Sequence, residues 1–583
     1  MNGDTQRAPW RKFGLDWELT ALTGASLGRM ERRGARPGAV GGGFMRGASG
    51  ARWVLVSKAR KLAGAAGLFG LAALTVGCAV GPDFVPPEVP VNDDWLEHHD
   101  RRVSEHSDPR LYWWTVFKDP TLDRLVEIAS EENLPVQIVG LRILEARAQL
   151  GVAKGELFPQ VQEGNGLAQE NLKSARVANQ DIDRYKHLFP LYKLGFDAAW
   201  EIDFWGKLRR NVEAADANLL ATAADYDNAL VSLTAEVARD YTQMRYYETL
   251  IRLARENARV QKEGLDVAES RFRNGAVSEL DVTQAATLLE STLATIPQYQ
   301  AEWQKAKNAL SVLLGRPPGA VEALICRPAG IPSAPKRIGV GLPADLLRRR
   351  PDVRAAELAA AAESARIGAA EAELYPRFVL FGEVSVQASD VHKLFAPHSL
   401  AYTLGPTFTW PILNYGQITN NVRAQDARFQ QALTNYEQTV LSAQREVEDG
   451  LIGYLKEQES AVNYQRAVRA ALESVRLSMI QYREGATDYQ RVLDSQTQLL
   501  QQRNRLADTR SLIALNLIGV YKGLGGGWEI RDGKPVVPVE VQADMAARTN
   551  WGDLLPAPPP PPTDALPLPT PAGLAPALQP PDW

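Results

Sequence analysis

Over residues 207–271 apolar side chains recur near i, i+3, i+4 and i+7, alanine is abundant and proline is absent. The pattern predicts one uninterrupted helix, with Gly264 tolerated inside it. At about 1.5 Å per residue it would be roughly 100 Å long, far beyond the about 11–12 residues of an ordinary globular helix. The polar stretch RNGAVSEL at 273–280 then reverses the chain. A returning helix is predicted from about 281 towards 314, and Pro297 is expected to kink or break it. The plan recurs further on, with a long helix over 417–483, a turn at 484–489 and a return over 490–523. Two shorter helices, near 136–157 and 352–374, end at FPQ and YPR.

Between each short helix and each long one the period falls to two. In KLGFDAAWEIDFW, Leu194, Phe196, Ala198, Trp200, Ile202 and Phe204 share one face, against Lys193, Asp197, Glu201 and Asp203 on the other. RFVLFGEVSVQ sets Phe378, Leu380, Val384 and Val386 against Glu383, Ser385 and Gln387. SLAYTLGPTFTWPIL sets Leu400, Tyr402, Leu404, Phe408, Trp410 and Ile412 against Ala401, Thr403, Gly405, Thr407 and Thr409. Strands of about 9–11 residues with this alternation fit a transmembrane β-barrel, and a half-buried soluble hairpin shows the same pattern. In a barrel, Trp200, Phe204, Phe408 and Trp410 would meet lipid, and Asp197, Glu201, Thr407 and Thr409 the lumen. The stretch near 161–169 hardly alternates.

The two halves are copies. EARAQLGVAKGELFPQ (145–160) lies over AESARIGAAEAELYPR (362–377), 217 positions on. From FWG over NYG the offset becomes 210 and holds through Asn211/Asn421, Tyr226/Tyr436, Phe272/Tyr482, Gly275/Gly485 and Ala276/Ala486 to Leu314/Leu524. A constant register over a hundred residues means equal helix lengths, the mark of internal duplication.

Composition narrows the class. At 583 residues more than one domain is expected, and a net charge of −4 gives no concentrated basic face for nucleic acid. Of the two cysteines, Cys78 closes the run LAGAAGLFGLAALTVGC, which Arg52, Lys58, Arg60 and Lys61 precede. A basic segment, a short apolar run and a small residue make a secretory signal. The cysteine after Gly77 resembles a lipobox, whose thiol becomes the acylated mature N-terminus. A plain signal peptide with an incidental cysteine is the alternative. Met45 is a plausible alternative start, and no later run of eighteen uncharged apolar residues predicts a membrane helix. Residues 82–109 read as an extended arm, and from about 532 the chain loses periodicity and ends in a proline-rich, disordered tail.

Chemistry is sparse. No phosphate-binding glycine loop, zinc spacing or H-E-x-x-H occurs, and the six histidines are dispersed, so no catalytic, metal or cofactor residue is assigned. The reading is a non-enzyme. Asp281 and Asp494 follow the glycines of the two turns by six and nine positions. They are either functional or solvated charges near a helix start, where the macrodipole favours acids.

Four motifs carry a family resemblance: GCAVGPDFVPP (77–87), WWTVFKDPTLDRLV (113–126), LPADLLRRRPDVRAAE (342–357) and YREGATDYQRVLDSQ (482–496). The chain resembles the TolC-like outer-membrane efflux factors, in the lipoprotein branch that includes OprM and NodT, from about residue 62 to 527. The fold implied is mainly α with a membrane β-barrel. Long antiparallel helices form a tunnel, and each protomer of a homotrimer lends four strands to a twelve-stranded barrel. The resemblance implies outer-membrane lipid around the barrel, a periplasmic adaptor at the turns, and an inner-membrane transporter of the proton-driven resistance–nodulation–division (RND) type. Carried over position by position, Cys78 is the lipidated residue. Asp494 belongs to an acidic ring at the periplasmic gate, and Tyr482 and Asp281 to a constricting link. Gly275, Ala276, Val277, Gly485, Ala486 and Thr487 form the adaptor-contact turns. Arg491 departs from a second ring aspartate and Thr487 from a basic link residue, so those two features are not expected here.

The implied layout is an N-terminal extension (1–51), a signal peptide (52–77), a lipid-tethered arm (78–110), two repeats (111–338 and 339–528) and the tail (529–583). The function implied is the passive outer-membrane duct of a tripartite efflux pump. A duct for type I secretion, or a poreless periplasmic coiled-coil lipoprotein, are the competing readings; the last leaves the alternating strands unexplained.

Overall fold

The computed structural model describes residues 79–104, 112–174, 176, 188–325, 328–341, 343 and 349–555. Cys78, Cys326 and residues 344–348 lie outside them, as does everything after 555. In chain order, a short strand β1 (Val103–Ser104) precedes α1 (Pro120–Glu132) and α2 (Leu134–Gly155). Strands β2 (Val161–Leu172) and β3 (Leu188–Ile202) lead into the hairpin of α3 (Lys207–Arg273) and α4 (Glu279–Leu313). After β4 (Ile338–Gly339) the plan repeats with α5 (Pro351–Glu371), β5 (Arg377–Ala388), β6 (Leu400–Thr409), α6 (Gln417–Arg483) and α7 (Tyr489–Gly523). A last helix, α8 (Val539–Arg548), follows.

The duplication is exact in length. Both long helices have 67 residues and both returning helices 35. Each long helix is entered through a glycine in the left-handed region, Gly206 and Gly416, both at φ 82°. Helix α4 runs through Pro297 without the break that was one of the two expected outcomes. Pro297 and Leu293, four residues before it, are both exposed, so water can take up the carbonyl that proline leaves unpaired. The packing of both flanks on α3 does the rest.

Four strands form one antiparallel sheet in the order β2-β3-β5-β6, leaving the outer edges of β2 and β6 unpaired. The register puts Phe196 opposite Val384, and Val384 opposite Tyr402. This apolar face is bare: Phe196 is 52%, Val384 54% and Tyr402 77% exposed. The next row, Asp197, Glu383 and Thr403, points the other way. There Lys193 Nζ lies 2.5 Å from Glu383, Arg377 3.7 Å from Glu201, and the Asn165 amide donates to Asp197.

Strand β2, weakly signalled in the sequence, pairs along its whole length. It places Gly164, Gly166 and Ala168 opposite Phe196, Leu194 and Tyr192. A Cβ on Gly166 would lie 3.2 Å from the Leu194 side chain, so that glycine makes room for its neighbour, while a Cβ on Gly164 would meet open space. None of the three small residues supplies the hydropathy that marks the other strands. Phe204 leaves the alternation, since β3 ends at Ile202 and Asp203 caps α3 by accepting from the Leu208 and Arg209 amides at 3.0 and 2.9 Å. Its half-buried ring packs on Trp205 and Phe378 instead. Two indoles pin the sheet to the helices: Trp200 Nε1 donates to Leu157 O at 3.1 Å and Trp410 Nε1 to Leu374 O at 3.0 Å.

The main core lies where the two repeats meet. Trp113, Leu122, Leu125, Tyr241, Met244, Leu310, Leu451 and Tyr454 are all fully buried there, and Trp113 stacks on Tyr521 at 5.4 Å. The extended arm is tied to α3 and α6. Arg210 takes the carbonyls of Val80 and Gly81 and pairs with Asp83 at 2.8 Å. Further along, Phe84 meets Phe429, Val89 and Val91 pack beside Val440, and Arg102 reaches Leu455 O and Glu459.

The stretch from 529, expected to be a disordered tail, holds ordered elements among the described residues up to 555. Trp528–Arg531 forms a helical turn and α8 follows. Val537 and Met545 bury themselves against Leu144 of α2, and a Cβ on Gly140 would lie 2.2 Å from Val536 O. This short amphipathic segment owes its order to α2, a partner about 400 positions earlier.

Candidate functional site

The two helical turns lie together at one end of the hairpins. At the end of α3, Gly275 (φ 72°) lets its own amide reach Phe272 O and the Ala276 amide reach Arg271 O, each at 2.9 Å. At the end of α6, Gly485 (φ 77°) and Ala486 repeat this with Tyr482 O and Gln481 O at 3.0 and 2.8 Å. This is the Schellman arrangement, which needs a left-handed residue and so a glycine. Gly275, Ala276, Gly485 and Ala486 are exposed, while Val277 and Thr487 are half-buried. Asp488 caps α7 by accepting from the Arg491 amide. Asp281 sits in the first turn of α4.

Behind the turns is a small core of Leu265, Ala268, Ala285, Leu289, Tyr482, Tyr489 and Val492. Tyr482 is 0% exposed, yet its hydroxyl donates to Asp281 Oδ2 at 3.1 Å. Tyr489 meets the Tyr482 ring edge-on at 5.2 Å. The Arg271 guanidinium carbon lies over the same ring at 4.7 Å. Burial, and then the bond to Asp281, push the Tyr482 phenol well above its ordinary value, while Arg271 pulls the other way. Burial and the Asp281 charge push Tyr489 up to about 12. At neutral pH both phenols keep their protons and Tyr482 acts as a donor.

Tyr482 and Asp281 are thus brought together, one from each repeat. Asp494 stands apart, exposed, and accepts from Gln490 Nε2 at 2.9 Å. Gln490 in turn accepts from Gln284 Nε2 at 3.4 Å, a second polar contact between repeats. Arg271 and Tyr489 were missed in the sequence. The one signal for them is the repeat alignment, which sets Arg271 against Gln481 and Tyr489 against Glu279, two mismatches flanking a well-kept turn.

The profile of the outer membrane efflux protein family matches residues 125–316 and 342–526. The chain belongs to that family. It is 31% identical over 427 residues to nodulation protein T of Rhizobium leguminosarum bv. trifolii, covering 73% of this chain and 89% of that protein. It is 30% identical over 465 residues to the cation efflux system protein CusC of Escherichia coli O6:H1, covering 79% and 98%. Among solved structures, the outer-membrane channel OprN shares 32% identity at a TM-score of 0.74, covering 78% of this chain and all of that one. A crystal structure of CusC follows at 28% identity and a TM-score of 0.66, with 77% and 100% covered. This outer membrane efflux protein is therefore a channel protein of the outer membrane. Its long hairpins are tunnel helices, and its four strands are one protomer's part of a shared barrel.

Proposed function

We propose that this chain is the passive exit duct of a tripartite efflux pump. It would work as a homotrimer, joined by a periplasmic adaptor to a proton-driven inner-membrane transporter of the RND type. The observation that carries the reading is the four-stranded sheet, bare on its apolar face and open at both edges, set on hairpins about 100 Å long. Closing the sheet with further strands satisfies its unpaired edges, and lipid around it covers the exposed apolar face. Four strands alone are too few for a barrel, and three protomers supply the rest.

The arm supports a lipid anchor at Cys78. Ala79, the residue after it, lies where β3 passes into α3: a Cβ on Gly206 would be 2.8 Å from Ala79 Cα. The chain thus starts its descent beside the sheet, where an acylated neighbour could enter the membrane. At the other end, the Tyr482–Asp281 bond is the latch of the periplasmic entrance. Asp494 contributes the charge of that entrance, and the exposed turns at Gly275–Val277 and Gly485–Thr487 meet the adaptor. Three like charges at a narrow axis favour cations over anions. Cargo is chosen by the pump.

The test is to extract the full chain from outer membranes, determine its mass and record it in planar bilayers. A trimer with a small, cation-preferring resting conductance is expected, with a diacylglyceryl group on Cys78 by mass spectrometry. A monomer that dissolves without detergent and forms no pore would overturn the reading.

A further inference from the structure

Arg271 is a charged group without an ion pair. Among the described residues no carboxylate lies within ion-pairing distance of it, and its Nη1 is shielded from solvent with no hydrogen-bond partner. Its assigned contact is the face of Tyr482, 4.7 Å from the guanidinium carbon to the ring centroid. Asp281, which would be the obvious partner for a cation, is engaged by the Tyr482 hydroxyl instead. The ring is therefore held on three sides: Arg271 over its face, Tyr489 at its edge and Asp281 at its hydroxyl. The repeat-related pair has nothing comparable: position 481 is glutamine, and Phe272, aligned with Tyr482, has no hydroxyl and is 43% exposed.

We propose that Arg271 is a positioning residue of the entrance latch. It fixes the Tyr482 ring in the orientation from which the hydroxyl reaches Asp281, and so sets how firmly the resting channel closes. The inference rests on the latch reading above and adds to it the residue that tunes it. A guanidinium stacked on an aromatic face also tells arginine from lysine. The flat cation covers the ring while an ammonium touches it at a point.

The experiment is a double-mutant cycle on the full-length trimer in planar bilayers, reading the ratio of open to closed time at rest, with melting temperature recorded in parallel. Arg271→Met is expected to raise that ratio roughly 3- to 30-fold, the range a partly desolvated cation–π contact spans. Arg271→Lys should raise it less, and neither should shift the melting point by more than a degree or two. In a Tyr482→Phe background, with no hydroxyl left to position, Arg271→Met should add less than about twofold. An equal rise in both backgrounds would show that Arg271 acts elsewhere and overturn the inference, as would no rise in either while Tyr482→Phe alone opens the channel. If Tyr482→Phe itself leaves the resting ratio unchanged, the latch fails and this inference goes with it. Should Arg271→Met not assemble, Arg271→Lys and Arg271→Gln carry the same comparison.

Discussion

The Tyr482 hydroxyl donates to Asp281 across 3.1 Å, although the two residues are 201 positions apart in the chain. One belongs to the long helix of the second repeat and the other to the returning helix of the first. The bond therefore ties the two hairpins together at their turns and lies within neither of them. A tie of that kind can be released without unfolding either hairpin.

Breaking the bond should loosen the entrance. A hydrogen bond to a charged partner contributes about 1.5–3 kcal/mol. Tyr482→Phe or Asp281→Ala is thus expected to raise resting conductance by roughly one to two orders of magnitude in planar bilayers. The double variant should do no more than either alone, because both lose the same bond. Fully additive effects would mean the two residues act separately.

Asp494 should govern selectivity and leave closure alone. It is exposed and, among the described residues, its one hydrogen bond is to Gln490 on its own helix. Asp494→Asn is expected to lower the cation-to-anion permeability ratio, read from the reversal potential across a salt gradient, with resting open time unchanged. An unaltered reversal potential would place the selecting charge elsewhere.

The sheet makes a sidedness prediction. Phe196 lies on the bare apolar face, and Thr407 on the face shared with Glu201. A cation on the lipid side near midplane costs about 2–4 kcal/mol, and in the lumen it meets water. Phe196→Arg should cut the yield of assembled trimer in outer-membrane fractions sharply, and Thr407→Arg only slightly. Equal yields would argue against the assignment of faces.

Asp240 should make stability depend on pH. Burial, helped by Glu236 and opposed by Arg239, raises its carboxyl to about 6 from an ordinary 3.8. The folded protein therefore holds this proton more tightly than the unfolded chain does. Stability is greatest below about pH 4 as far as this group goes, falls as pH rises towards 6, and is flat beyond. Asp240→Asn should melt at a higher temperature than the native chain at pH 7.5, with the gap closing by pH 4. A gap that widens on acidification would reverse the sign of the effect.

The arm can be tested at one glycine. Gly81 has φ 95°, and a Cβ on it would lie 2.3 Å from Gly368 Cα, a backbone atom that cannot swing away. Gly81→Ala should release the arm, seen as rapid protease cleavage between residues 79 and 104. Gly533→Ala is the control, since Gly533 has φ 75° but open space around its Cβ position. It should cost only the roughly 1–2 kcal/mol of a left-handed alanine. Equal protection of the arm in both variants would mean that the Gly81–Gly368 approach does not hold it.

The long helices, their turns, the duplication and three of the four strands were all legible in the sequence. Helices and strands are set by local periodicity, 3.6 or two residues per repeat, and the hairpin helices end at glycines that tolerate the left-handed backbone. Strand β2 was not legible, because Gly164, Gly166 and Ala168 bring no hydropathy to their face, and the fit of Gly166 to the Leu194 side chain exists only once β3 lies beside it. Residues 529–555 looked like a tail for the same reason, since Val537 and Met545 find their apolar partner on α2. The pairing of Tyr482 with Asp281 came from family resemblance and could not be read from spacing. Helical period fixes which face a side chain takes, while contact across 201 positions depends on how the two hairpins dock. Arg271 lay beyond both kinds of reading. A surface arginine and one laid over a buried phenol have the same local sequence, and only the fold brings the ring under Arg271.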